Sequence, residues 1–231
     1  MDAKWLWRTI RLYTCKDRNK YIRKAHIFAE FGKNSTMSSR KIPLYPELIS
    51  IGNNVRLAAN VSLVPHDMIH AMLNNLPQNL KGGIEPYREY IGCIRIDDNV
   101  FVGTNTTILA NCHIGSNCII GAGTLVNKNL ESGYVYAGVP AKKICTFEDF
   151  IEKRKQQVRY PKGFQRKGDS VGTKFADWMW RDFEDRCKWS VWSEYRQNYI
   201  LKDKQMVDER LNKRLQNINH RYQELFRSES M

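Results

Sequence analysis

Between Ile96 and Lys143 the chain repeats itself every six residues, with aliphatic side chains at Ile96, Val102, Ile108, Ile114, Ile120 and Val126. Four residues after each comes a compact one, Val100, Thr106, Cys112, Cys118 and Thr124, until Leu130 breaks the smallness. Gly103, Gly115 and Gly121 follow their aliphatic residues, and Asn or Asp recurs between them. An amphipathic helix would return every 3.6 residues and a lone strand every second, so neither explains this period. Short strands separated by tight corners do, because Gly, Asn and Asp supply the backbone geometries that corners need.

The same rhythm begins earlier, at Ile51, Val55, Leu57, Val61 and Leu63, and stops at His66. Residues 67–92 carry Pro77, Gly82, Gly83 and Pro86 and have no six-residue recurrence. A loop of that length inside a compact repeat is usually functional. Upstream, residues 3–28 hold no Gly or Pro and place Trp5, Leu6, Ile10 and Tyr13 at near-helical intervals, which predicts a helix with some irregularity. It reads either as a packing helix or as a basic, Trp-bearing helix on a membrane surface. Residues 32–46 read as an irregular entry coil interrupted by Pro43 and Pro46.

After the repeat, 147–155 (FEDFIEKRK) reads as a short closing helix and 156–172 as a basic linker. The tail differs in kind, with Trp178, Trp180, Trp189 and Trp192 among helix-spaced charges. Beyond it Leu211, Leu215, Ile218, Tyr222 and Leu225 follow a 4-3-4-3 spacing that spans barely two coiled-coil heptads. Docking of this tail on its own body is the first expectation and self-association the second. The organisation is then an N-terminal helical segment (1–31), a repeat domain (32–145) with an inserted loop, and a helical, aromatic-rich extension (146–231).

The net charge of +13 sits at the two ends: residues 1–50 and 151–231 carry +7 each and 51–150 carry −1. Basic ends suit nucleic acid, acidic glycans, anionic lipid, or simply water. Six cysteines show no paired metal-type spacing, and Cys112 and Cys118 occupy the compact register, which suits packing in a reducing compartment. No apolar run approaches the ~18 residues of a membrane span, and the N-terminus lacks a continuous apolar core, so the cytoplasm is the expected location.

The motifs IGNNV, PHD, IDDNVFVG, IIGAGTLVNK and YAGVPAK together resemble the hexapeptide-repeat acyltransferases, in particular the sugar and xenobiotic O-acetyltransferases. The resemblance covers about residues 45–150. It implies a mainly β fold, a left-handed parallel β-helix with one triangular coil per three hexads. It also implies acetyl-coenzyme A (acetyl-CoA) bound between subunits of a homotrimer, and a sugar or polysaccharide hydroxyl as acceptor. By position, His66 matches the catalytic histidine, a base suited to taking a proton near neutrality. Asp67 or His70 could orient its ring or contact the acceptor, with Glu47 and Glu85 as further candidates. Phe101, Gly103, Thr104, Ala122, Asn127, Lys128 and Lys142 fall where the family contacts the cofactor. Phe101 stands where many sugar acetyltransferases have Trp.

Three rival classes share some of these features. A γ-type carbonic anhydrase uses the same prism, but the spacing of His66, His70 and His113 does not match its zinc set, and no metal is expected. A nucleotidyltransferase would need a nucleotide domain ahead of the repeat. A nucleic-acid or glycan-binding protein is allowed by the basic ends, although nucleic acid is the poorer fit for this body. Peripheral contact of those ends with the membrane surface is a further expectation.

Overall fold

The structure is a computed structural model that describes residues 3–81, 86–156 and 171–187, with positions 209, 213 and 216. Residues 1–157 make one compact unit and 158–231 another. The predicted seam at Leu211 to Leu225, and Trp189 and Trp192, lie outside the described residues. In the second unit helix α6 (Thr173–Cys187) confirms helical spacing for the first part of the tail.

The N-terminal segment forms two helices where the sequence predicts one irregular helix. Helix α1 (Ala3–Thr14) ends before a break, and α2 (Arg18–Lys24) restarts because the Asp17 side chain accepts from Lys20 N (3.0 Å). An N-capping Asp satisfies a donor that a helix start leaves open, which favours a new start over continuation. Leu12 of α1 and Ile22 of α2 are buried.

The body is a three-sided coil of short parallel strands. In chain order these are β1 (Glu30–Phe31), β2 (Thr36–Met37), β3 (Ile49–Ile51), β4 (Arg56–Leu57), β5 (Ser62–Val64), β6 (Ile94–Ile96) and β7 (Val100–Val102). They continue with β8 (Thr107–Leu109), β9 (Cys112–Ile114), β10 (Cys118–Ile120), β11 (Leu125–Val126) and β12 (Tyr134–Ala137). Side A stacks β1-β3-β6-β9, side B stacks β2-β4-β7-β10-β12, and side C stacks β5-β8-β11. A final strand, β13 (Lys142–Thr146), returns antiparallel to β12 and leads into α5 (Phe147–Lys155), capped by Thr146. That helix is the predicted closing helix.

Both sequence registers point inward. Each strand such as β7 or β9 is buried, exposed, buried, so the two inward residues are the compact and the aliphatic one. Stacking then builds three internal ladders: Ile51-Ile96-Ile114 on side A, Leu57-Val102-Ile120 on side B and Leu63-Ile108-Val126 on side C. The corners repeat at six residues too. Asn99, Asn105, Asn111, Asn117 and Gly123 all have positive φ, a backbone region that Asn and Gly tolerate best. At the A–B corner the asparagines also bond one another, Asn54 Nδ2 to Asn99 Oδ1 (2.9 Å) and Asn99 Nδ2 to Asn117 Oδ1 (3.1 Å).

Cys112 and Cys118 lie inside the stack, their thiols facing Val126 O (3.6 Å) and Glu131 O (3.2 Å). Burial pushes both thiols up, so they stay protonated packing groups.

Outside side A, Arg95 Nε and His113 Nε2 each lie 2.8 Å from an Asp97 carboxylate oxygen. Burial opposes ionisation of Asp97, but the hydrogen bonds from His113 and Arg95 outweigh it and hold the carboxyl below its usual range. A carboxyl depressed by folding stabilises the fold above its unfolded pKa, and that stability disappears as pH falls through the folded pKa. The parent is therefore expected to melt above Asp97→Asn at neutral pH, with the gap closing below about pH 4. Tm measured against pH for the two proteins checks this.

Candidate functional site

Register locates the interruption of the coil. Strand partners are 18 residues apart in the pair Ile94↔Cys112 but 45 apart in Ile49↔Ile94, so 27 extra residues leave and rejoin one corner without shifting the sheets. That corner joins side C to side A, between β5 and β6. The departing and returning arms are tied: His66 bridges Ile91 antiparallel, Asp67 N donates to Tyr90 O (3.0 Å), and Gly92 N donates to Pro65 O (2.8 Å). The insertion is not featureless, since it carries α3 (Ile69–Asn74) and α4 (Gln78–Lys81). Asn74 braces its two halves with a pair of bonds to the Tyr87 main chain (2.8 Å each).

His66 sits at this neck. Its ring meets the Tyr45 ring edge-on, with centroids 5.3 Å apart and planes at 87°. Edge-to-face pairs of this kind contribute about 0.5–1.5 kcal/mol beyond burial, enough to favour one ring orientation. Tyr45 has φ 50 at the start of the 3₁₀ turn Pro46–Leu48. Its hydroxyl donates to the Glu89 carboxylate, with oxygens at 3.0 and 3.2 Å. That bond, partial burial and the charges of Glu89 and Glu47 push the phenol up, so it remains a donor. His66 Nδ1 is buried and meets no hydrogen-bonding partner among the described residues, and the same holds for His70 Nδ1 on α3.

Asp67 Oδ1 accepts from Ile69 N (3.0 Å), a turn that starts α3. Glu85 lies outside the described residues. Tyr45 and Glu89 were not singled out by sequence, and Glu89 had only the weak signal of being a carboxylate inside the inserted loop. Their partnership spans 44 residues and depends on the neck closing.

The cofactor candidates are spread over the coil. Gly103 and Thr104 follow β7, and Ala122 follows β10, so all three share the B–C corner on adjacent coils. Gly123 N donates to Thr104 O (2.8 Å) and Gly103 N to Ile120 O (2.8 Å). A Cβ on Gly103 would lie 2.5 Å from Ala122 N, so close coil stacking requires glycine here. Gly103→Ala is expected to cost about 1–3 kcal/mol of stability through that overlap. Denaturant unfolding of the variant checks it. Phe101 projects from side B and is 45% exposed. Asn127 and Lys128 are exposed just past β11, on the C–A corner that also holds His66, while Lys142 is exposed at the start of β13.

Among the described residues no group of three or more His, Cys, Asp or Glu is placed to hold a metal ion. His113, one of the histidines weighed for zinc, is engaged with Asp97.

Residues 94–128 match the family described as bacterial transferase hexapeptide (six repeats). YvoF of Bacillus subtilis (strain 168), named as a putative acetyltransferase, is 32% identical over 129 residues, covering 55% of this chain and 66% of YvoF. A 2,3,4,5-tetrahydropyridine-2,6-dicarboxylate N-acetyltransferase of Staphylococcus aureus (strain JH9) is 34% identical over 79 residues, covering 34% of this chain and 32% of that enzyme. The chain thus spans just under two thirds of the first relative and about a third of the second. Among solved structures, a hexapeptide-repeat acetyltransferase of Vibrio cholerae aligns with a TM-score of 0.49 and 15% identity, over 63% of this chain and 89% of its own.

Proposed function

We propose that this chain, whose repeat is that of the bacterial transferase hexapeptide family, moves an acetyl group from acetyl-CoA to a hydroxyl of a sugar. The observation that carries the proposal is His66 at the neck of the 27-residue interruption of the coil, its ring held by Tyr45. The name borne by YvoF supports an acetyl donor.

Acetyl-CoA supplies an activated thioester carbonyl. The chain suits it chemically: close-packed main chain at Gly103, Thr104 and Ala122 on the B–C corner would lie along the amide-bearing arm, and Lys128 past β11 and Lys142 on β13 are exposed cations for its phosphates. Phe101 and Asn127 would flank the arm. As the acceptor oxygen bonds to the carbonyl carbon and the carbon–sulfur bond breaks, His66 takes the hydroxyl proton and returns it to the departing thiolate. Asp67 contributes by starting α3, which also carries His70.

In this reading the three-sided coil is a left-handed parallel β-helix. His66 occupies the C–A corner, whereas Gly103 and Ala122 occupy the next corner round, so a donor touching both is best shared between two copies. A homotrimer with sites between subunits satisfies that geometry. The acceptor is a sugar of a surface polysaccharide or its precursor, met in the cytoplasm, and the 27-residue insertion selects it.

The test is to incubate the protein with acetyl-CoA and a panel of sugars and read products by mass spectrometry. A gain of one acetyl group on a sugar, with release of free coenzyme A thiol, is the expected result. Thiol release without any acetylated hydroxyl, or neither change across the panel, overturns the reading.

A further inference from the structure

Helix α1 has two apolar sides. Leu12 faces the core at 2% exposure, while Leu6, Trp7, Ile10 and Tyr13 are 51%, 63%, 45% and 59% exposed. At 3.6 residues per turn these four fall within an arc of about 120°, a continuous stripe along the helix and not scattered surface residues. Exposed apolar side chains gathered this way mark an interaction surface.

The surroundings of the stripe are cationic. Between residues 3 and 29 there are eight Lys or Arg and one carboxylate, Asp17, which is engaged at Lys20 N. Arg40 lies over the Tyr13 ring at 5.5 Å, and Arg11 over the Tyr21 ring at 5.8 Å, so two guanidinium groups flank the apolar residues. Lys16, Lys20 and Lys41 are exposed nearby in sequence. A Trp- and Tyr-bearing apolar stripe inside a positive rim complements a surface that is apolar below and anionic above.

We infer that α1 seats this protein on an anionic lipid surface, with Leu6, Trp7, Ile10 and Tyr13 entering the headgroup boundary and the surrounding Lys and Arg meeting lipid phosphates. The inference is independent of the transfer chemistry. Helix α1 packs against α2, which in turn packs against β1, the first strand of the body. The membrane-facing end is therefore the amino-terminal end of the coil.

The experiment uses the full chain and vesicles of phosphatidylcholine alone or mixed with about one-third phosphatidylglycerol, read by co-sedimentation. The parent is expected to sediment with the mixed vesicles at least roughly tenfold better than with phosphatidylcholine, and to be released by salt. A Leu6→Glu/Ile10→Glu double variant is expected to lose that binding at least roughly tenfold while keeping its Tm and its mass in light scattering, since both side chains are exposed. Three results overturn the inference. In one, the parent ignores anionic lipid; in another, the double variant binds as the parent does, which assigns lipid contact elsewhere. In the third, the double variant loses Tm or changes mass, which shows the stripe covered by another copy or by another part of this chain.

Discussion

Acetyl transfer by His66→Ala is expected to be slower than by the parent by roughly 10²–10⁴-fold in kcat/KM, the range that a positioned general base supplies. Coenzyme A affinity should hold, because the proposed contacts to it come from other residues, with Gly103, Thr104 and Ala122 on the B–C corner. Tyr45→Phe sharpens the test. It keeps the ring edge against His66 and removes only the hydroxyl that donates to Glu89. A hydrogen bond to a charged group is worth about 1.5–3 kcal/mol, so a loss of up to roughly a hundredfold is expected for Tyr45→Phe and a larger one for Tyr45→Ala. Steady-state rates with a titration of coenzyme A separate the two effects. A His66→Ala protein as fast as its parent would remove the proposed base.

The second large effect is on stability. Ile108 is fully buried and stands between Leu63 and Val126 in the side C ladder. Ile108→Ala deletes methyl and methylene groups from a column whose neighbours are fixed by strand hydrogen bonds on both sides. The stack therefore has little room to collapse around the cavity, and about 2–5 kcal/mol is the expected cost. That corresponds to a fall in Tm of roughly 5–15 °C for a unit of this size. Ile108→Val, which removes one carbon, should cost about 0.5–1.5 kcal/mol. Well below the melting transition both proteins should transfer acetyl at the parental rate, because Ile108 points away from either corner. A calorimetric scan paired with an activity assay checks both halves.

The coil was legible because its physics is local. A residue at position i and another at i+4 point inward in every hexad, and the left-handed corner falls on Asn or Gly in the same frame, so the sequence carries the same instruction many times over. The position of His66 at the neck was legible for the opposite reason, as the place where the instruction stops. What escaped was non-local or broke the pattern only once. The restart at Asp17 is a single capping bond that overrides an otherwise continuous helical pattern. The antiparallel return of β13 on β12 follows a corner that has no precedent in the preceding coils. Tyr45 and Glu89 meet only after the inserted arms close, and nothing in the spacing of either announces the other.

The neck of the insertion has a further consequence. Both arms enter and leave at one corner, tied by Pro65, His66 and Asp67 on one side and Tyr90, Ile91 and Gly92 on the other. Residues 68–88, short of the Glu89 that meets Tyr45, can change in length or composition while the ladders above and below keep their register. The protein therefore joins a regular chassis to an exchangeable cassette. Under the proposed function, grafting a different segment between residues 68 and 88 would change the acceptor without rebuilding the scaffold.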